Sequence, residues 1–164
     1  QGIRQAVENL GGGWKVVAEQ AGNWVRDPAI AIAEDYLTAY PNMKIIITHA
    51  TGMGNGVAAL LEREGLKEIA HISNDGDPEA LDWVRSGWIT ALRYYSSAQE
   101  GRMGVVLLRD FLENGTRQPD LVLMEQTMMT ADNVDDIIGE EPSPPNGLGP
   151  VCYEEHKAEA EKIA

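Results

Sequence analysis

Residues 44–81 read KIIITHATGMGNGVAALLEREGLKEIAHISNDGDPEAL. The stretch opens on an apolar, β-branched run at Lys44–Thr48 and passes through a glycine-rich connection. It continues with Val57, Leu60 and Leu61 at helical spacing as far as Gly65, then returns to a strand-like run over Glu68–Ser73. Strand, helix and strand joined by short connections make a crossover between parallel strands. The alternation extends in both directions. Upstream, Ala29, Ile32, Ala33, Tyr36 and Leu37 recur at helical spacing within Asp27–Ala39, with Pro28 in the first turn and Pro41 past the end. Downstream, Ala80, Leu81 and Val84 precede Gly87, and Met103, Val106, Leu107 and Phe111 stripe a helix closed by Asn114-Gly115. Trp14–Ala18, Ile89–Tyr95 and Leu121–Glu125 are the remaining strand candidates. The pattern predicts an α/β fold: a doubly wound, mostly parallel sheet with helices on both faces.

The ends differ in character. Gln1–Val7 already reads as helix without a capping residue, as expected of a chain that starts inside a larger architecture. After Ile138, Pro142, Pro144, Pro145 and Pro150 with Gly147 and Gly149 predict an extended linker over 139–153, followed by a charged helical tail over 154–164. The whole chain of 164 residues is 43% hydrophobic and 24% charged, which suits one globular domain. The single cysteine, Cys152, has no partner for an internal bridge. Thirteen Lys+Arg against 26 Asp+Glu leave a net charge of −13, the wrong sign for neutralising phosphates, so nucleic acid and anionic membranes are excluded as direct partners.

In an open α/β sheet, ligands bind outside the carboxyl ends of the strands. Four loops qualify: Glu19–Asp27 with Asn23 and Trp24, His49–Asn55 with His49 and Thr51, Asn74–Pro78 with Asp75, and Tyr94–Gln99 with Tyr95. Together they offer aromatics, a carboxylate and amides, the combination that holds a polyhydroxylated ligand. An aromatic ring covers the apolar C–H face of a sugar, and the polar groups bond its hydroxyl rim. Several of these residues have plainer readings. Asp77 before Pro78 is a helix cap, His71 within an apolar strand is a hydrogen-bonded core residue, and Trp83 and Trp88 pack. Trp24 could staple the following helix, and Asp75 could be a turn residue.

No catalytic or metal constellation stands out. His49, His71, His156 and Cys152 lack ligand spacing, and there is no nucleophile elbow. The glycines of Gly52–Gly56 lack the Gly-Lys-Ser/Thr ending of a phosphate loop; they predict a strand-to-helix turn with close backbone approach. A binding protein without cofactor or metal is expected.

The order of motifs resembles the second half of the periplasmic sugar-binding proteins of ABC transporters, the ribose-binding-protein-like family. That fold is shared with the effector domains of Lac-repressor-type regulators. The resemblance rests on Ala21–Trp24, Tyr40–Thr48, the glycine turn into Val57–Leu60, Ser73–Leu81, Arg85–Gly87, Met103–Leu108 with Asn114-Gly115, and Thr130–Val134, and spans about residues 1–138. It implies a sugar-binding lobe over 1–97, a segment over 98–138 that crosses to the other lobe and returns, and then the linker and tail. It implies that Trp24 stacks on the sugar, Asp75 binds ring hydroxyls, and Tyr95 lies near a polar contact at the crossing. It also implies a sugar or sugar-like ligand, an ABC permease reached through a missing or companion lobe, a periplasmic or extracellular location, and possible homo-oligomers. The alternative it leaves is the effector domain of a transcription regulator. Where the family carries Asn-Asp after the first strand of this stretch, this chain has His49-Ala50-Thr51, which removes an amide contact. With the first lobe and its contact arginine expected ahead of Gln1, the stripe of Met103, Val106, Leu107 and Phe111 needs an intermolecular or rearranged partner, and a single lobe binds weakly.

Overall fold

Three consecutive apolar runs, each followed by a helix, can only line up side by side if each helix carries the chain back across the sheet. The computed structural model, which describes residues 2–94, 96–117 and 127–140, has this arrangement. Helix α1 (Gly2–Leu10) and α2 (Arg26–Ala39) precede β1 (Ile45–Ile47), α3 (Thr51–Glu64), β2 (Ala70–Asp75), α4 (Pro78–Arg85) and β3 (Ala91–Tyr94). Helix α5 (Ser97–Asn114), β4 (Thr127–Met129) and α6 (Val134–Glu140) follow. The sheet order is β1-β2-β3-β4, with the first three strands parallel and β4 antiparallel to β3. The α/β class with a mostly parallel sheet is therefore the one implied by residues 44–81.

Side-chain alternation divides the sheet into two faces. Register pairs Ile46 with His71, Ser73 with Leu92, and Leu92 with Met129, and all five are buried. Helices α2 and α3 cover Ile46 through Ala29, Ala33, Val57, Leu60 and Leu61, whereas α4 and α6 cover Leu92 through Ala80, Val84 and Val134. The other face, with Ile45, Ile47 and Met128, is more open among the described residues. Local chemistry sets the helix ends. Asp77 caps α4 by accepting from Ala80 N–H at 2.8 Å, with Pro78 in the first turn. Gly65, at φ 68°, closes α3 while Leu66 N–H donates to the Leu61 carbonyl at 2.9 Å.

Three expectations need correction. Trp14–Ala18 forms no strand; Trp14 and Val17 are exposed, and the segment lines, together with β1, a groove of about 720 Å³. Strand propensity is not enough where no ladder is made. The glycines of Gly52–Gly56 do not make a turn, because α3 already begins at Thr51. The expected close approach is nevertheless there. A Cβ at Gly54 would collide with Ser73 Oγ and stand 3.3 Å from Thr48 Oγ1, one at Gly56 would lie 3.1 Å from the Arg26 carbonyl, and one at Gly52 2.8 Å from the Trp24 carbonyl. Finally, α6 runs through Glu140, so no linker starts at 139. Leu121–Glu125 and 141–164 lie outside the described residues.

The stripe expected on α5 is only partly covered: Met103, Val106 and Leu107 are half-buried and Phe111 is exposed. Val105, Leu108, Phe111 and Leu112 are exposed, and neither core cluster includes an α5 residue.

The seating of α3 on the sheet is testable at Gly54. Gly54→Ala gains about 1 kcal/mol of helix propensity but overpacks a closed contact, which costs about 1–3 kcal/mol. Urea denaturation should show a net loss, and Ser73→Ala in the same chain should recover part of it. A variant as stable as the parent would mean that α3 is not held at this distance.

Candidate functional site

The strands β1, β2 and β3 all point their carboxyl ends the same way, and the candidate residues collect there. After Ile47 the β1 chain reaches Thr48, whose N–H donates to the Ile72 carbonyl at 2.9 Å, and then His49, Ala50 and the start of α3. The β2 chain ends at Asp75. Thr51 N–H meets Asp75 Oδ2 at 3.4 Å, which ties the first turn of α3 to the end of β2. Gly52 lies against the Trp24 carbonyl, so the Asn23-Trp24 turn sits on that same first turn. A Cβ at Gly22 would be 2.6 Å from Met53 Sδ, a second reason the loop hugs α3. Trp24, Thr51 and Asp75 are thereby brought together, and His49 joins them through Asn74, whose Nδ2 is 3.3 Å from His49 Nδ1.

Backbone conformation marks the same place. Among the described residues, the non-glycine residues with positive φ are Asn23 (53°), Trp24 (62°) and Asp75 (78°). Asparagine and aspartate tolerate this region; a tryptophan there is strained by about 1–3 kcal/mol. The indole gains no burial in return, since Trp24 is 76% exposed. It does not staple α2 to the core. Asp75 keeps its neighbour under an aromatic cover: a Cβ at Gly76 would run into the Tyr94 ring, which stands opposite Asp75 in register. Tyr95 lies outside the described residues.

Sequence reasoning passed over two residues that shape this end. Asn55, buried within the glycine run, donates from Nδ2 to both carboxylate oxygens of Asp77 at 3.1 Å and so fixes α3 to the cap of α4. Arg26 pairs with Glu79, which also accepts from Trp83 Nε1 at 3.3 Å, so α2 and α4 are linked as well. Only an asparagine among glycines at the start of a helix could have signalled the first.

Beneath the site, Thr48 Oγ1 lies 3.0 Å from His71 Nε2 and donates to Ser73 Oγ at 2.9 Å, all three residues being buried. His71 is the hydrogen-bonded core residue expected. Burial pushes its imidazolium down to about 4, although the Trp88 backbone acts in the opposite sense. Nδ1 has no partner at ordinary hydrogen-bond geometry. No group of three or more His, Cys, Asp or Glu positioned for a metal occurs among the described residues, and no described helix is long and apolar enough to cross a membrane.

Comparison with known proteins gives a consistent outcome. The family described as "periplasmic binding protein domain" matches residues 1–116. The D-allose-binding periplasmic protein of Escherichia coli K12 is 30% identical over 122 residues, covering 71% of this chain and 39% of that protein. A sugar-binding protein of a sugar ABC transporter from Bacillus halodurans superposes with a TM-score of 0.70 at 25% identity, over 82% of this chain and 50% of that one. A solute-binding protein of a carbohydrate transporter from Agrobacterium radiobacter, in complex with D-arabinose, has a TM-score of 0.75 at 22% identity and shares the fold, over 84% of this chain and 46% of that one. The chain thus spans 39% of the curated relative and about half of the solved ones.

The buried imidazole makes this end of the sheet acid-sensitive. Its folded-state pKa of about 4 lies below the ordinary value of 6.5, so the unfolded chain takes up the proton first. The contribution is whole above pH 6.5 and is lost as pH falls toward 4, by about 3 kcal/mol in all. Urea denaturation at pH 7 and pH 4 should show His71→Gln losing about 3 kcal/mol less than the parent on acidification. Equal losses would mean that His71 is not held neutral.

Proposed function

We propose a function from one premise: the chain belongs to the periplasmic binding protein domain family. On that premise it is the sugar-binding part of an ABC transporter's solute receptor, and it takes a sugar or sugar-like polyhydroxylated ligand at the carboxyl ends of β1, β2 and β3. The observation that carries this reading is the convergence of Asn23, Trp24 and Asp75, all at positive φ, on the first turn of α3. Strained backbone with an uncovered indole is costly for a merely structural loop and reasonable for one that receives a ligand.

Each residue has a role its chemistry permits. The Trp24 indole offers an apolar plane for the C–H face of a sugar ring. Asp75 accepts from two hydroxyls through charge-assisted bonds, one of its oxygens being already steadied by Thr51 N–H. Asn23 supplies an amide and His49 an imidazole at the rim, Thr51 a hydroxyl, and Tyr95 is assigned, from the family resemblance alone, a polar contact near the crossing. These groups would bind and orient a ligand, and the sugar-binding relatives support a receptor as the reading. Residues 1–97 form the ligand lobe, 98–138 cross to a companion lobe and return, and the linker and tail follow α6.

Transport then follows from two lobes closing about the ligand, which stabilises the closed state by contacts that only that state makes. A permease in the membrane would recognise the closed pair, in a periplasmic or extracellular setting. The D-allose-binding relative is what makes a transport receptor the better reading than a regulator's effector domain.

Substitutions that respect the backbone separate binding from folding. Asp75→Asn keeps a residue that tolerates positive φ while removing the charge, and Trp24→Gly removes the indole while relieving the strain. With D-allose or D-arabinose titrated into the isotopically labelled chain and followed by NMR, each variant should bind at least about tenfold more weakly. Trp24→Gly should be at least as stable as the parent in urea. Unchanged titrations in both variants would remove these residues from the site.

A further inference from the structure

The pairing of β1 with β2 does not stop where the ladder stops. Ile45, Ile46 and Ile47 stand opposite Ala70, His71 and Ile72, and the same register carried forward sets Thr48 against Ser73 and His49 against Asn74. Side-chain contacts join the two chains at both steps. Thr48 and Ser73 join their hydroxyls at 2.9 Å on the covered face, and His49 and Asn74 meet at 3.3 Å on the other. The second pair is at the mouth of the site, one residue from Asp75.

The chemistry of that pair is asymmetric. A side-chain amide nitrogen only donates, so Asn74 Nδ2 facing His49 Nδ1 requires Nδ1 to accept. The neutral ring then carries its hydrogen on Nε2. Among the described residues Nε2 has no hydrogen-bond partner, and His49 is exposed. We propose that Asn74 is a positioning residue for His49: it holds the imidazole in one tautomer and one orientation, so that a ligand meets a pure N–H donor there. Beside it, Asp75 is a pure acceptor. An amide in place of His49 would both donate and accept and would tolerate a hydroxyl in either sense; the locked imidazole would not.

The site therefore selects an oxygen lone pair at His49 and a hydroxyl hydrogen at Asp75. The ligand class is a polyol or sugar whose hydroxyl, ring or carbonyl oxygen lies next to the hydroxyls that Asp75 takes. This deepens the sugar-binding reading and rests on it for the ligand, but not for the hold of Asn74 on the ring.

Two measurements on the whole chain test it. Long-range proton–nitrogen NMR of the labelled chain above pH 7 should show His49 almost wholly with Nδ1 bare and Nε2 protonated. In Asn74→Ala, and in Asn74→Val, which keeps a strand-forming side chain, the two nitrogens should move toward an averaged mixture. Titration with D-allose and D-arabinose should then weaken between about twofold and tenfold in either variant. In the His49→Ala background, removing Asn74 should weaken binding no further. Mixed tautomers in the parent, or nitrogens unmoved by both substitutions, would overturn the pairing. Full additivity of the two substitutions would overturn the positioning role. A locked tautomer in a parent chain that binds neither sugar would uphold the pairing and overturn the sugar-binding reading together with the ligand selection inferred from it.

Discussion

The seating of α3 against the end of the sheet is the constraint from which the candidate site follows. Helix and strands approach closely enough that Gly54 has no room for a methyl group beside Ser73 and Thr48. That approach buries Thr48, His71 and Ser73, and the contacts of the Thr48 hydroxyl with the His71 ring and the Ser73 hydroxyl hold the residue after β1 against β2. It also delivers the first turn of α3 to Asp75 on one side and to the Trp24 turn on the other. Losing any of these contacts would leave a further buried polar group unpaired, at a cost of about 1–3 kcal/mol. The rigidity of the mouth is in this sense inherited from the layer below it.

How much of this the amino-acid sequence made legible depends on the kind of interaction. Periodicity located β1, α3, β2, α4 and β3 because each buries one stripe, and burial leaves a repeat in the sequence. The Asp77 cap was legible because capping is local, requiring only Asp-Pro ahead of an apolar run. Trp14–Ala18 misled for the converse reason: its residues favour a strand, but a strand exists only with a partner, and the partner is a tertiary fact. The glycines at 52–56 were ambiguous in another way. Glycine disfavours helix by about 1 kcal/mol, so a run of them reads as a turn; only the bodies of α2 and the sheet, pressed against those positions, make a helix there the better solution. For the site, the residue types of Trp24, Asp75, His49 and Thr51 and the end of the sheet they occupy were readable. The positive φ of Trp24, the contact between Asn74 and His49, and the brace from Asn55 to Asp77 were not, since each depends on a distance across elements.

Exposure distributes unevenly over the molecule in a way that agrees with a part designed to meet others. The core is concentrated between the helices α2, α3, α4 and α6 and one face of the sheet, and there Ala58, Leu61, Ala80, Val84, Ile89, Leu92 and Met129 are fully shielded. In contrast, α5 leaves Val105, Leu108, Phe111 and Leu112 uncovered, and α1 buries none of its residues. Helices of that apolar content gain most of their stability from packing and little from propensity. Their uncovered faces are what the expected second-lobe contact would require, and the relatives, about twice as long, have chain enough to supply it.

The three residues at positive φ bear on affinity as well as on location. A loop that had to rearrange to receive its ligand would lose part of the binding energy to ordering, by about 0.5–1.5 kcal/mol for each side chain immobilised. Here the ordering is done in advance by folding: the Gly22–Trp24 loop rests on Gly52 and Met53, and Asp75 is held by Thr51, before any ligand arrives. The strain is carried by the stability of the α3 layer, and the indole and carboxylate are free to spend their interactions on the ligand alone. On the proposed reading, a lobe so arranged is a preformed half-site. What it lacks is coverage, because one plane and one rim leave the far side of a sugar in water, where its hydroxyls compete with every bond the site offers. On that reading, closure by a companion lobe would remove that water, and with it most of the competition, so specificity would be set here while affinity is completed elsewhere.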